Sequence, residues 1–256
     1  MTFVGVARND GRSRLRLSSG NLAPRLIRAD ATGAQVALVA TTALLLGGDR
    51  VDVELSVGPG AWLEIVETAG TVAYDADGAP CSWNVQAVLG EGALLLWQGE
   101  PFVVSDGANA LRSTTFELSV GSVACVRETV VLGRAGERGG AVRIRNRATS
   151  SGVPLLVEDL DLTDRRIREL PGILCAATVI DSLTLLGTKA PEVPAPAGTV
   201  FQLDAGMADP TSTAGGSVGR VLRSGLAGSP VAGWWAAWRA QAKARYQQDT
   251  VDAESI

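Results

Sequence analysis

The chain of 256 residues contains no histidine. That absence removes Ser-His-Asp and Cys-His catalysis, together with imidazole-ligated zinc or nickel sites. Any chemistry must rest on carboxylates, hydroxyls, backbone groups or isolated thiols. Cysteine is scarce too: Cys81, Cys125 and Cys175 lie far apart and form no C-x-x-C pair. A sparse, odd set of this kind fits a reducing cytosol rather than a disulfide scaffold. Basic charge is short, with a net charge of −4 and a pI near 5.0. Phosphate binding needs a basic face, so nucleic acid is not expected as the main partner. The small clusters "RSRLR" (12–16) and "RIRNR" (143–147) read as solvated sides of strands.

Long apolar runs are missing as well. "VALVATTALLL" (36–46) falls short of the roughly 18–20 residues that a spanning helix needs. The first twenty residues lack the basic start and apolar core of a secretion signal, so the expectation is a cytoplasmic protein without a membrane span. "GGDR" and "AGGSVG" match neither dinucleotide nor P-loop glycine patterns, and no G-x-S-x-G elbow occurs. "DADG" (75–78) lacks the downstream spacing of a calcium loop and reads as a turn.

What is present is an ordinary globular composition, 46% apolar and 20% charged, and a repeated pattern. "VELSVGPGAWLEIVE" (53–67) returns as "VQAVLGEGALLLWQG" (85–99) and "FELSVGSVACVRETV" (116–130). The copies start at Val53, Val85 and Phe116; Gly58, Gly90 and Gly121 open the turn, and Ala61, Ala93 and Ala124 begin the return. Period-two alternation about a glycine turn predicts hairpins, and their fixed spacing predicts stacking. Strands are also expected at 13–19, 32–41, 140–148 and 153–162. Residues 171–187 fit either a buried strand pair or a helix.

The predicted fold is all-β: stacked, partly solenoidal antiparallel strands and hairpins with a short C-terminal helical part. A single domain is expected over 1–256. Its β-body covers about 1–190, and a linker and helical region covers about 190–256. The Gly-, Ala- and Ser-rich stretch from Asp204 to Gly228 reads as a weakly packed surface. Ser229 and Pro230 then suit a helix start, and Val231, Trp234, Trp235, Trp238 and Ala242 form an apolar stripe. The tryptophans either dock on the chain's own sheet or anchor a partner.

Two carboxylates fall in apolar phase. Glu128 shares a face with Ala124 and Val126, where earlier copies have Ile65 and Trp97, and Glu158 shares one with Leu156, Leu160 and Leu162. A desolvated carboxylate needs a partner. One reading pairs each Glu with an arginine such as Arg112, Arg127 or Arg143. A second makes them an acid–base pair of a cytosolic carbohydrate-active enzyme. A third makes them the lining of a hydrated passage that handles a divalent cation weakly.

"GGDRVDVELSVGPGAWLEIVETAGTVAY", "EGALLLWQGEPFVVSDGANALRSTTFEL", "VLGRAGE" and "PLLVEDLDL" resemble, in order and spacing, the signatures of the UreD (UreH) urease accessory proteins. The resemblance covers roughly residues 40–165. It implies a non-enzymatic scaffold with no permanently bound cofactor, which passes nickel in transit through an internal channel. Implied partners are a UreF-type protein, a UreG-type GTPase and apo-urease. By position it assigns Thr71, Glu128 and Glu158 to the passage and Gly47, Gly48 and Asp49 to a structural turn. The sequence departs from the family at Val72 and Ala73 before Tyr74, at Leu96 before Trp97, in "ALLLGGD", and in lacking histidine.

Overall fold

The computed structural model describes residues 1–192, 198–204 and 215–254, with side chains to Gln248. Four strands, β1 (Thr2–Asn9), β2 (Arg12–Ser18), β3 (Leu22–Ala29) and β4 (Gly33–Ala40), precede the repeats. The first copy supplies β5 (Arg50–Val57) and β6 (Trp62–Glu67), followed by the short β7 (Thr71–Ala73). The second supplies β8 (Pro80–Leu89), β9 (Leu94–Gln98) and the short β10 (Phe102–Val104). The third gives β11 (Asn109–Leu118) and β12 (Val123–Leu132). Next come β13 (Ala141–Ser150), β14 (Val153–Asp161) and a helical turn, α1 (Arg165–Arg168). The chain closes with β15 (Val179–Leu186), β16 (Thr199–Asp204), β17 (Gly215–Arg223) and α2 (Val231–Glu254).

The all-β, stacked, partly solenoidal body with a C-terminal helix is the fold observed, but the repeated units are not hairpins. β5, β8 and β11 pair side by side in parallel in one sheet, and β6, β9 and β12 do the same in a second. Each glycine turn carries the chain from one sheet to the other. A hairpin and a sheet-to-sheet corner produce the same alternation, because either way one face of each strand is buried. Antiparallel pairing is confined to the flanks: β1–β2, β3–β4, β13–β14, and the run β12–β15–β17–β16. Among the described residues the sheets run β14-β13-β11-β8-β5-β1-β2 and β16-β17-β15-β12-β9-β6-β4-β3.

The register also differs from the sequence alignment. Val53 lies beside Val85 at the expected 32 residues, but Val85 lies beside Thr114 and Leu95 beside Ala124. The third coil is therefore two residues shorter than the alignment assumed. Gly121, at φ 69°, takes the left-handed position of Gly60 (60°) and Gly92 (59°), not that of Gly58 and Gly90. Alternation fixes the face of a strand, and a two-residue slip preserves it.

Strands continue beyond residue 190. β17 falls in the glycine-rich stretch read as surface, yet it lies inside the second sheet between β15 and β16. The ambiguous 171–187 segment yields β15, buried along its whole length. Residues 193–197 of the expected linker and 205–214 of the Gly-rich stretch lie outside the described residues.

The outer face of the second sheet is covered by α2. Trp234, Trp235 and Trp238 are buried there with Leu94, Leu96, Val123, Cys125, Leu183 and Leu185. Gly219 explains why a strand without side chains serves at this point. A Cβ there would come within 3.1 Å of both Trp234 and Trp238, so the indoles occupy the space its side chain would fill.

Ser229 caps α2 as expected, accepting from Val231 N at 3.4 Å and donating to Asp181 Oδ2 at 2.5 Å. Asp181, fully buried, also accepts from Arg127 Nη2 (2.8 Å) and Thr129 Oγ1 (3.0 Å). Further along α2, Arg239 Nη2 donates to Glu64 Oε1 at 2.6 Å and Tyr246 Oη to the Gly60 carbonyl at 2.8 Å.

Gly219→Val should lower stability by about 1–3 kcal/mol through overpacking under the indoles. Gly225→Ala, facing open space, should stay within about 0.5 kcal/mol. Urea denaturation followed by tryptophan fluorescence checks both; equal effects would mean that α2 does not dock at Gly219.

Candidate functional site

The corrected register explains the two out-of-phase glutamates together. In the second sheet Glu128 lies beside Ser182, and Ser182 beside Arg220. In the first sheet Thr114 lies beside Asn146, and Asn146 beside Glu158. Two rows of three polar residues thus face each other between the sheets, and Arg112, level with Trp83 and Ile144, joins them from the next level of the first sheet. One residue past the Val66–Gln98–Arg127 register, Glu67 stands level with Gly99 and Glu128. The counterparts of Glu128 are therefore Glu67 and Gly99, whereas Ile65 and Trp97 stand level with Val126.

Each glutamate is held by a guanidinium. Arg112 Nε and Nη2 donate to Glu128 Oε1 at 3.0 and 2.9 Å, and Thr114 Oγ1 donates to the same oxygen at 3.1 Å. Arg112 also lies over the rings of Phe102 (5.2 Å) and Trp83 (5.7 Å). Arg220 Nη1 and Nη2 form a fork with Glu158 at 2.6 and 3.0 Å, and its Nε donates to Ser182 Oγ at 3.0 Å. Asn146 Nδ2 donates to Glu158 Oε2 at 3.0 Å, while its buried Oδ1 has no partner.

The arginine pairing weighed from sequence is thus present, with Arg112 as named and Arg220 unforeseen. Arg127 turns to the opposite face, to Asp181, and Arg143 pairs with Asp159 on the exposed surface. The seam encloses a cavity of about 10 Å³, room for one water, bordered by Arg112, Glu128, Asn146, Ser182 and Arg220. The pairs form a gradient: side-chain exposure is 23% for Glu158 and 19% for Arg220, but 12% for Glu128 and 7% for Arg112.

Burial works to raise the Glu158 pKa, but the hydrogen bonds and charge of Arg220 outweigh it and hold the group below its ordinary value of 4.5. Glu67 shifts the other way: burial raises it, and Arg112 offsets only part of the effect. Its oxygens accept from Trp97 Nε1 and Glu100 N, each at 2.9 Å.

Thr71 does not join this seam. It lies on β7, beside Phe102 of β10, which separates it from Val130 of β12. Gly47, Gly48 and Asp49 form a turn before β5. A Cβ on Gly47 would press on Ala76 at 2.4 Å, Gly48 has φ 86°, and Asp49 Oδ2 accepts from Leu46 N at 2.8 Å. Trp234, Trp235 and Trp238 pack against the chain's own second sheet, the first of the two places left open by sequence. "DADG" is a turn, with Asp75 Oδ1 accepting from Asp77 N at 3.1 Å.

Sequence reasoning missed Asn146, Ser182, Arg220, Glu67 and Asp181. The only signal available for Asp181 was a lone acid within "TVIDSLTLL" (178–186).

The folded pKa of Glu158 lies below its unfolded value, so its pairing contributes fully above the unfolded pKa. That contribution is lost as pH falls through the folded value. Arg220→Met should leave only the Asn146 hydrogen bond to oppose burial, and so raise the Glu158 pKa. A ¹³C NMR titration of the side-chain carboxyl reads this; an unmoved titration would mean that the fork does not form in solution.

The profile described as "UreD urease accessory protein" matches residues 3–249. Urease accessory protein UreD 1 of Streptomyces griseus subsp. griseus is 48% identical over 198 residues, 76% of this chain and 78% of that protein. UreD 1 of Saccharopolyspora erythraea is 35% identical over 177 residues, 68% and 69% of the two chains. UreD of Mesorhizobium japonicum is 31% identical over 189 residues, 69% and 68%. With a profile match spanning almost the whole sequence and relatives of this similarity, the chain belongs to the UreD family of urease accessory proteins.

Proposed function

We propose that the chain is a cytoplasmic, non-enzymatic scaffold that carries nickel to apo-urease in complex with a UreF-type protein and a UreG-type GTPase. In this reading nickel is cargo in transit, and no cofactor stays bound. The observation that carries it is the pair of polar rows facing each other in register between the sheets. They provide oxygen donors between two sheets whose buried layer is mostly apolar, and oxygen donors suit transient rather than tight handling of nickel. The unpartnered, buried Asn146 Oδ1 is an acceptor that a water or a cation would satisfy.

At rest the cavity admits one water, so passage of a hydrated ion requires the side chains of the seam to move apart in the assembled complex. The acid–base reading is not favoured. A general acid needs a raised pKa and room for substrate, whereas Glu158 is lowered and the seam is closed.

Asn146→Leu seals one row with an apolar side chain and leaves both ion pairs in place. Thermal stability and co-purification with urease and the accessory proteins should be unchanged. Urease activation by nickel should fall about tenfold, the scale of losing an outer polar partner on a metal path. Full activation by a stably assembled variant would overturn the passage.

A further inference from the structure

The proposed passage leaves open how two buried glutamates avoid holding cations permanently. An unpaired buried carboxylate is costly and recruits whatever cation is at hand. A passage lined by free carboxylates would retain a divalent ion rather than release it. Here each carboxylate already has a cation of its own. Arg112 and Arg220 enter from opposite sheets, each donating twice to one glutamate.

Both arginines have somewhere to go when displaced. Arg112 lies over Phe102 and Trp83 and within the field of Glu67. Arg220 keeps a bond to Ser182 Oγ at 3.0 Å. The guanidiniums border the same small cavity as Asn146, whose buried Oδ1 lacks a donor. Moving the guanidiniums aside would leave Glu128 and that amide oxygen at the cavity, with Glu158 next to it behind Asn146 Nδ2 and the place of Arg220.

We propose, building on the nickel-transit reading, that Arg112 and Arg220 are the resting counter-ions of the seam and that a divalent cation enters by displacing them. The exchange sets both release and selectivity. A monovalent ion carries the same charge as a guanidinium but donates no hydrogen bonds, so it does not displace the arginine. A divalent ion doubles the attraction to each carboxylate and gains the Asn146 oxygen. The returning guanidinium then competes for the carboxylate and lowers the cost of release. Arg112 and Arg220 act as positioning residues that tune affinity, and the oxygen atoms are the ligands.

The test is equilibrium dialysis of the full-length chain against Ni²⁺ alone, with folding checked by circular dichroism and thermal melting. Arg220→Met and Arg112→Met should each bind Ni²⁺ at least about tenfold more tightly than the unaltered chain, because a buried carboxylate has lost its competitor. Adding Glu158→Gln to Arg220→Met should return the affinity to that of the unaltered chain. If Arg112→Met does not fold, Arg220→Met decides, since Arg220 lies at the more exposed pair.

A folded Arg220→Met chain that gains no affinity would overturn the exchange. So would a gain that survives Glu158→Gln, since the ion would then sit elsewhere. Neither readout uses urease activation, so the exchange and the passage fail separately. Loss of activation in Asn146→Leu without the affinity gain leaves the passage and removes the exchange. The gain without the loss leaves a cation site and removes the passage.

Discussion

Parallel stacking of coils is the constraint on which the rest of the molecule depends. Neighbouring strands in a sheet lie about 4.8 Å apart, so each residue is set against its counterparts in the coils before and after it. A polar residue admitted at one level therefore meets that level's residues in the next strand, and across the core it meets the opposite sheet. Thr114, Asn146 and Glu158 on one side and Glu128, Ser182 and Arg220 on the other satisfy this as rows. None could be buried alone at acceptable cost. With Arg112, two residues along β11 from Thr114, they give each carboxylate a guanidinium; Arg220 also bonds Ser182, and Arg112 lies over Phe102 and Trp83.

β12 shows how narrowly the polarity is confined. Arg127 and Glu128 are adjacent in sequence and project to opposite faces of one strand. Glu128 enters the seam towards Arg112, while Arg127 points under α2 towards Asp181. The second sheet is thus buried on both faces, with the seam on one side and three indoles on the other. Asp181 lies on the α2 side, as the acceptor for Arg127 and Thr129 and as the partner of the Ser229 cap. An acid at the start of α2 also complements the helix dipole.

Legibility in the sequence followed the range of the interactions. Strands with clean alternation, such as 13–19, 32–41 and 140–148, are found within a residue or two of their expected bounds. β17 was illegible because its packing surface belongs to α2: Gly219 is a core position only once Trp234 and Trp238 lie over it. The face of Glu128 was legible from alternation, but its level was not, because a two-residue slip leaves the hydrophobic pattern intact. Arg220 could not be foreseen as the partner of Glu158. The two are 62 residues apart and meet only where β17 faces β14 across the core.

The sequence by itself determined the β class, the repeated unit, the turn glycines, the helix cap and the inward phase of Glu128 and Glu158. Each of these is written in local periodicity or in one residue's backbone preference. Tertiary structure alone decided that the units coil between two sheets, that the tryptophans are spent on the chain's own surface, and that Glu128 is level with Ser182 and Arg220. Those outcomes depend on which strands become neighbours. Alternation carries no record of that choice, and the burial of charge in matched pairs is possible only after it is made.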